Sequence, residues 1–347
     1  MHYIERKLAS TQPLGPASGD DIALEDVAVH DEVEALFRPP QTATGAFACL
    51  IRPSDTVALA MPALCGLALG RWASSEFDLV AFFFMFIGVL STITGLNLLG
   101  EYYDFRRTND MEEAFAGESC FSTFCLMAYG LFPAKAIRLI AWLALLVGLL
   151  CMSLLAVSVG WPVLFFHGLF LLLGLTAFLP PFKLAYRGWG IGELSVLLAY
   201  GPILVLNGFY VQAKAISWLP MWAGLPLGLL ALTVVYNFNL VYFRRDWLNR
   251  KRTLAVQLGP IRSVDLSAFL ALVSYVVVVL VVSLSQLPLW ALATLGGMPL
   301  ALGNFGAIRR DYINSEDYYT LYRASSSATI LAGLLFIIAL TVDTLIR

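Results

Sequence analysis

The side chains best suited to chemistry lie in the run Asn97-Leu-Leu-Gly-Glu-Tyr-Tyr-Asp104, which continues through Phe105-Arg106-Arg107-Thr108-Asn109 to Asp110. With about 3.6 residues per turn, Asn97, Glu101 and Asp104 share one helical face within roughly 10 Å of axial rise. An amide and carboxylates gathered in this way suit a hard cation, because such ions prefer oxygen ligands. A second version of the device follows in Asn239-Leu-Val-Tyr-Phe-Arg-Arg-Asp246, where an Asn-Leu pair again precedes an Asp seven residues after the Asn. Two copies of one device predict two halves of one site.

Both runs close long apolar segments, so membrane helices must position them. Of 347 residues, 59% are hydrophobic and only 13% charged, with mean hydropathy +0.77; soluble domains carry about 25% charged residues. The composition predicts an all-α, polytopic membrane bundle. About nine apolar runs of roughly 18 to 27 residues are each long enough to span a hydrocarbon core. They fall near 54–74, 79–103, 136–157, 161–180, 190–212, 218–242, 263–285, 287–307 and 324–345. The first carboxylate run closes the second of these and its echo closes the sixth.

Of the 22 Lys and Arg, 19 fall in the N-terminal tail or in the second, fourth, sixth and eighth loops, leaving Arg71, Lys214 and Arg347 on the opposite side. Positive residues concentrate on the cytoplasmic face. The N-terminus and those loops are therefore expected in the cytoplasm and the C-terminus outside. One span more or fewer would scramble this segregation, so the charges support the count. Residues 1–45 are acidic, without an apolar core run, and are expected to form a disordered cytosolic tail, with a short surface helix in Ile22–Phe37 as the alternative. No signal peptide is visible, and the first span is expected to direct insertion. Residues 46–347 are expected to form the transmembrane domain.

Several other features have ordinary explanations. Cys49, Cys65, Cys120, Cys125 and Cys151 lack metal-ligand spacing and are expected mostly to pack. The net charge of -2 argues against a nucleic-acid partner. Arg52-Pro53-Ser54-Asp55 is a helix start signal, with a binding role for Arg52 as the alternative. His167, alone among apolar residues, is expected to be a hydrogen-bonded packing residue. Asp265, Asp343 and Ser325-Ser326-Ser327 fit helix edges or helix packing. Within the loop 111–133, the apolar piece Cys120–Phe132 is too short to cross a bilayer and predicts a lid-like helix.

Two basic loops flank the carboxylates. One is Lys183-Leu-Ala-Tyr186-Arg187-Gly-Trp-Gly-Ile-Gly-Glu193, in which cations, a tyrosine and glycines lead into a helix N-terminus. Such a loop suits a phosphate-bearing ligand, although positive-inside charge and loop glycines explain it equally well. The other is Arg244-Arg245-Asp246-Trp-Leu-Asn-Arg-Lys251-Arg-Thr253, the most basic stretch of the chain. Together the inventory suits cleavage of a diphosphate ester. Carboxylates would hold Mg2+, Lys and Arg would neutralise the leaving diphosphate, and an apolar chamber would take the hydrocarbon. Tyr102, Tyr103 and Phe105 would either face a developing allylic cation or belong to an interfacial aromatic belt.

Over about residues 46–345 the chain resembles the UbiA superfamily of intramembrane prenyltransferases, and most closely its dihydroxynaphthoate (menaquinone) branch. In that family one Asp-rich motif closes helix 2 and another, Asp-x-x-x-Asp, closes helix 6. Asn97, Glu101, Asp104 and Asp110 fall on the first, with Glu101 where Asp is common. Lys183 to Glu193, Tyr200-Gly201-Pro202 and Lys251-Arg-Thr-Leu-Ala-Val-Gln-Leu-Gly259 match the naphthoate branch. The second motif is degenerate: Asn239 and Asp246 match, but Tyr242 stands where the first Asp belongs, and Phe238 and Val241 replace Asn and Arg. A tyrosine hydroxyl is a poor Mg2+ ligand at neutral pH.

The resemblance implies Mg2+-dependent transfer of a prenyl group from an isoprenyl diphosphate to an aromatic, naphthoate-like acceptor within the membrane. Asn97, Glu101, Asp104, Asp110 and Asp246 would bind metal. Lys183, Tyr186, Arg187, Asn239, Arg245 and Lys251 would bind diphosphate, and Asp104, Asp246 and Lys183 would be catalytic. The alternatives are a membrane terpene cyclase of the same family, and a non-catalytic prenyl-diphosphate binder or transporter that retains the fold.

Overall fold

The structure, a computed structural model, describes residues 40, 42–109, 121–306 and 315–346. The expectations for the acidic tail, for Asp110 and for Cys120 lie outside these residues. Every regular element among the described residues is helical.

The first apolar stretch is two helices, α1 (Ala43–Ile51) and α2 (Pro53–Ser74). They meet at Arg52, whose left-handed backbone (φ 47°) ends one while Pro53 starts the other. Asp78 caps α3 (Leu79–Arg107), its Oδ1 accepting from the Ala81 N–H at 2.9 Å. A six-residue helix, α4 (Thr123–Ala128), lies within the stretch expected to hold a lid. The chain continues through α5 (Ala134–Ser158), α6 (Pro162–Thr176), α7 (Leu184–Arg187) and α8 (Ile191–Leu198). A π turn over Ala199–Ile203 leads into α9 (Leu204–Ala213). Next come α10 (Leu219–Val241), α11 (Phe243–Leu248), α12 (Leu254–Leu258) and α13 (Pro260–Leu284). Two 3-10 segments, Leu289–Gly297 and Gly303–Gly306, flank α14 (Met298–Leu302), and α15 (Ser315–Ile346) ends the described chain.

Among the described residues, seven helical segments are long and apolar enough to cross a membrane: Ala43–Ser74, Leu79–Arg107, Ala134–Ser158, Ile191–Ala213, Leu219–Val241, Pro260–Leu284 and Glu316–Ile346. The other two expected spans take different forms. Over 161–180 the α-helix has only 15 residues. Over 287–307 the rod is mostly 3-10, which rises about 2.0 Å per residue and so covers roughly 30 Å with few residues.

Leu139, Trp142, Leu146, Leu150 and Leu154 form an exposed stripe on α5, the pattern of a helix that faces lipid rather than water. Inward faces are packed closely. A Cβ on Gly66 would lie 2.3 Å from the Val205 carbonyl oxygen, so α2 and α9 touch backbone to backbone. Gly201 makes a similar contact, its Cβ position lying 2.7 Å from the Gly224 carbonyl oxygen, which seats the π turn against α10. His167 is fully buried with its Nε2 3.1 Å from the Thr92 hydroxyl, joining α6 to α3 as a packing residue. Cys49, Cys65 and Cys151 are buried, and Cys125 is disulfide-bonded.

Candidate functional site

The functional cluster forms where the C-terminal end of α3 meets the α10–α11 junction. Asn97, Glu101 and Asp104 share the face that periodicity predicts, and all three line one cavity of about 180 Å³. Thr108 ends the helix, its hydroxyl donating to the Asp104 carbonyl at 3.0 Å and accepting from Asn249 Nδ2 at 3.0 Å. A side chain from the second half therefore braces the first motif.

The second half departs from the expected single helical face. α10 stops at Val241, and Tyr242 (φ -102°, ψ 29°) interrupts the helix before α11 begins at Phe243. Asn239 and Asp246 thus sit on different helices. Asn239 lines the cavity, whereas Asp246 is fully buried behind it.

Lys251 joins the halves. Its Nζ donates to Asp104 Oδ2 at 3.0 Å and lies 3.4 Å from Asp246 Oδ2. Arg245 lies deeper, with Nη1 3.6 Å from Glu101 Oε1 and Nη2 3.5 Å from Asp104 Oδ2 and 3.3 Å from Asp246 Oδ1. The rings of Tyr242 and Phe124 pack on its guanidinium, with centroids at 4.1 and 4.9 Å. The second oxygen of Glu101 accepts from the Phe124 N–H at 2.9 Å, which anchors α4 over the cluster. The Tyr186 hydroxyl donates to Asp104 Oδ1, and Arg107 covers the Tyr186 ring at 4.0 Å.

Electrostatics follow from this arrangement. Burial works to discharge Lys251, but Asp104 and Asp246 outweigh it and hold the ammonium above the ordinary lysine range. Burial, then Asp104, pushes the Tyr186 hydroxyl up, so it keeps its proton and serves as a donor. Asp246 is raised chiefly by burial, against the pull of Lys251 and Arg245.

The two basic loops are tied together. Glu193 Oε1 accepts from the Leu254 N–H at 2.7 Å, and Gln257 Oε1 from the Trp189 N–H at 3.0 Å. Tyr186 and Lys251 reach the cavity, whereas Lys183 and Arg187 are not among its lining residues. Arg187 is exposed and donates to the Phe182 carbonyl at 2.6 Å, bracing its own loop.

Arg52 and Asp55 also line the cavity, as a buried ion pair at 3.3 Å, with Arg52 4.2 Å from the Phe238 ring centroid. Arg52 Nη1 and Asp55 Oδ1 are buried without hydrogen-bond partners. Sequence read these residues first as a helix start. The available signal was an Arg-Asp pair at a membrane helix end, where buried charge is costly unless it serves a purpose.

The donor set bears directly on metal binding. Among the described residues, no group of three or more His, Cys, Asp or Glu side chains is arranged as a metal cage. Mg2+ needs fewer protein ligands, because one or two carboxylates plus substrate phosphates and water complete its shell. Asn97, Glu101 and Asp104 fit that requirement: all line the cavity and bring an amide oxygen and two carboxylates to it, and the Asn97 amide nitrogen is buried without a hydrogen-bond partner, a donor left for a bound ligand. The Asp246 side does not: Asp246 is fully buried and is not among the residues that line the cavity, with Arg245 and Lys251 beside it.

A helical membrane bundle with paired carboxylates and cations above an apolar cavity defines an intramembrane protein built for an anionic headgroup on a hydrocarbon tail. Residues 59–326 match the UbiA prenyltransferase family. The chain belongs to that family and is an integral-membrane prenyltransferase. It is 26% identical over 300 residues to the UbiA prenyltransferase domain-containing protein 1 homolog of Drosophila melanogaster, covering 83% of this chain and 77% of that one. It is also 26% identical over 230 residues to the 1,4-dihydroxy-2-naphthoate octaprenyltransferase of Bacillus subtilis, covering 66% and 71%. A solved UbiA homolog from Archaeoglobus fulgidus bound to GPP and Mg2+ shares the fold, with a TM-score of 0.58 at 12% identity over 84% of this chain and 99% of that one.

Proposed function

We propose that the protein transfers a prenyl group from an isoprenyl diphosphate to a naphthoate-like aromatic acceptor, using Mg2+ and with the site open to the cytoplasm. The observation that carries this reading is Lys251 in the cavity lining, between carboxylates of both halves, with apolar walls that include Leu59, Leu96, Val196 and Val235. An ammonium there meets the diphosphate while the apolar walls take the chain. The naphthoate acceptor is supported by relatives named 1,4-dihydroxy-2-naphthoate octaprenyltransferase. The cytoplasmic orientation rests on the distribution of Lys and Arg.

Asn97, Glu101 and Asp104 would hold the metal, which when bound supplies charge neutralisation for the departing diphosphate. Lys251 donates to diphosphate oxygens, and Tyr186 fixes Asp104 in place. Phe178, Tyr200 and Phe238 line the cavity, where aromatic rings would stabilise an allylic cation. Apolar walls exclude water, which would otherwise capture that cation. The buried Arg52, with an unpartnered Nη1, offers a charge for the acceptor's carboxylate away from the diphosphate cluster.

One observation favours a second reading. Cations already neutralise much of the carboxylate cluster, which suits a protein that binds prenyl diphosphate without turning it over. Purified protein given labelled geranyl or geranylgeranyl diphosphate, Mg2+ and 1,4-dihydroxy-2-naphthoate should yield a prenylated aromatic by mass spectrometry. Chelation of the metal should abolish that product. Diphosphate binding without product across an acceptor panel would favour the binder, and cyclised product without acceptor would favour a terpene cyclase.

A further inference from the structure

Among the described residues, Arg245 is the largest side chain that is completely buried. A fully buried guanidinium is tolerated only when its charge is matched, and here three carboxylates match it: Glu101, Asp104 and Asp246, all within 3.6 Å. The helix break at Tyr242 puts Arg245 on α11, pointing back between the two halves, and the Tyr242 ring lies against the guanidinium.

The family motif has an Asp at the position of Tyr242. A carboxylate at 242 would bring a fourth to the cluster. Here three carboxylates face Lys251 and Arg245. Tyr242 brings no negative charge where a carboxylate would, and Arg245 adds one positive charge, together the formal charge of one divalent ion. The guanidinium touches Asp246 from one half and Glu101 and Asp104 from the other.

We propose that Arg245 is a resident cation in place of metal on the Asp246 side, so that a prenyl diphosphate is held with divalent metal on the Asn97–Glu101–Asp104 face alone. The proposal rests on the prenyl-diphosphate reading only for the identity of the ligand. It explains how the chain keeps a compact, buried second half without the ligand that Tyr242 replaces. It also explains why Arg245 lies on the carboxylates rather than in the cavity lining.

The test counts bound Mn2+ by electron paramagnetic resonance, with protein in lipid nanodiscs. With saturating geranyl thiolodiphosphate, which resists ionisation, the unaltered protein should hold one Mn2+ per chain. Without the analogue, Arg245→Gln should bind Mn2+ about tenfold more tightly than the unaltered protein, because carboxylates lose their internal counter-ion. Arg245→Lys keeps the charge and should not show this gain. Tyr242→Asp combined with Arg245→Gln should hold two Mn2+ with the analogue. Two Mn2+ on the unaltered protein, or unchanged affinity in a folded Arg245→Gln, would overturn the proposal. If the variants do not fold, the count on the unaltered protein decides. If the analogue does not bind, the prenyl-diphosphate reading fails, and the Mn2+-only comparison still decides the role of Arg245.

Discussion

Asp104 and Asp246, on helices far apart in the chain, are held by one ammonium: Lys251 Nζ lies 3.0 Å from Asp104 Oδ2 and 3.4 Å from Asp246 Oδ2. The contact ties the two halves of the motif together beside the cavity that Asp104 and Lys251 line. It also means that a change at either carboxylate reaches the other through Lys251.

Asp104→Asn removes the charge on which Lys251 and Arg245 converge. Turnover should fall about 100-fold or more, in line with the loss of a major electrostatic element. Breaking a buried ion network also costs roughly 3–5 kcal/mol, so a lower Tm should accompany the loss. Product yield from the folded fraction, isolated by size exclusion, checks both. Wild-type turnover would remove Asp104 from the site.

Tyr186→Phe deletes one donor to Asp104 and leaves the ring beneath Arg107. A hydrogen bond to a charged group is worth about 1.5–3 kcal/mol, which predicts roughly a tenfold or greater loss in kcat/KM. Kinetics with the diphosphate varied at fixed acceptor would measure it. An unchanged value would show that the hydroxyl does not hold Asp104 in the working enzyme.

Lys251 and Lys183 should separate sharply. Lys251 is at the cavity and Lys183 is outside its lining. Charge-assisted bonds to phosphate are the strong ones, so Lys251→Met should weaken geranyl diphosphate binding by about tenfold or more. Lys183→Met should change it by less than about threefold. Equilibrium binding to both variants tests the contrast, and equal losses would mean that the loop after α6 closes onto the ligand.

Val235 lines the apolar part of the cavity, half-buried on α10. Val235→Phe fills that space and should penalise long donors more than short ones. Pocket contacts of this size are worth about 1–3 kcal/mol. The kcat/KM ratio for geranylgeranyl over dimethylallyl diphosphate should therefore drop by about tenfold. A parallel loss for both donors would place the chain elsewhere.

The sequence by itself determined the membrane class, because apolar runs of spanning length leave few other folds for a chain with so little charge. It also determined the face of α3: helical periodicity is local, so Asn97, Glu101 and Asp104 had to align once that segment was helical. Local pattern could not reveal that the helix stops at Tyr242, since an Asn and an Asp seven residues apart fit one continuous helix equally well. Nor could it choose among the many cations of the two basic loops. That choice belongs to the tertiary structure, which turns Lys251 and Tyr186 to the cavity, leaves Lys183 outside its lining, and buries Arg245 among the carboxylates. The deciding physics is non-local: a charge buried in the bundle must find opposite charge on another helix, and only packing determines which partner is near enough.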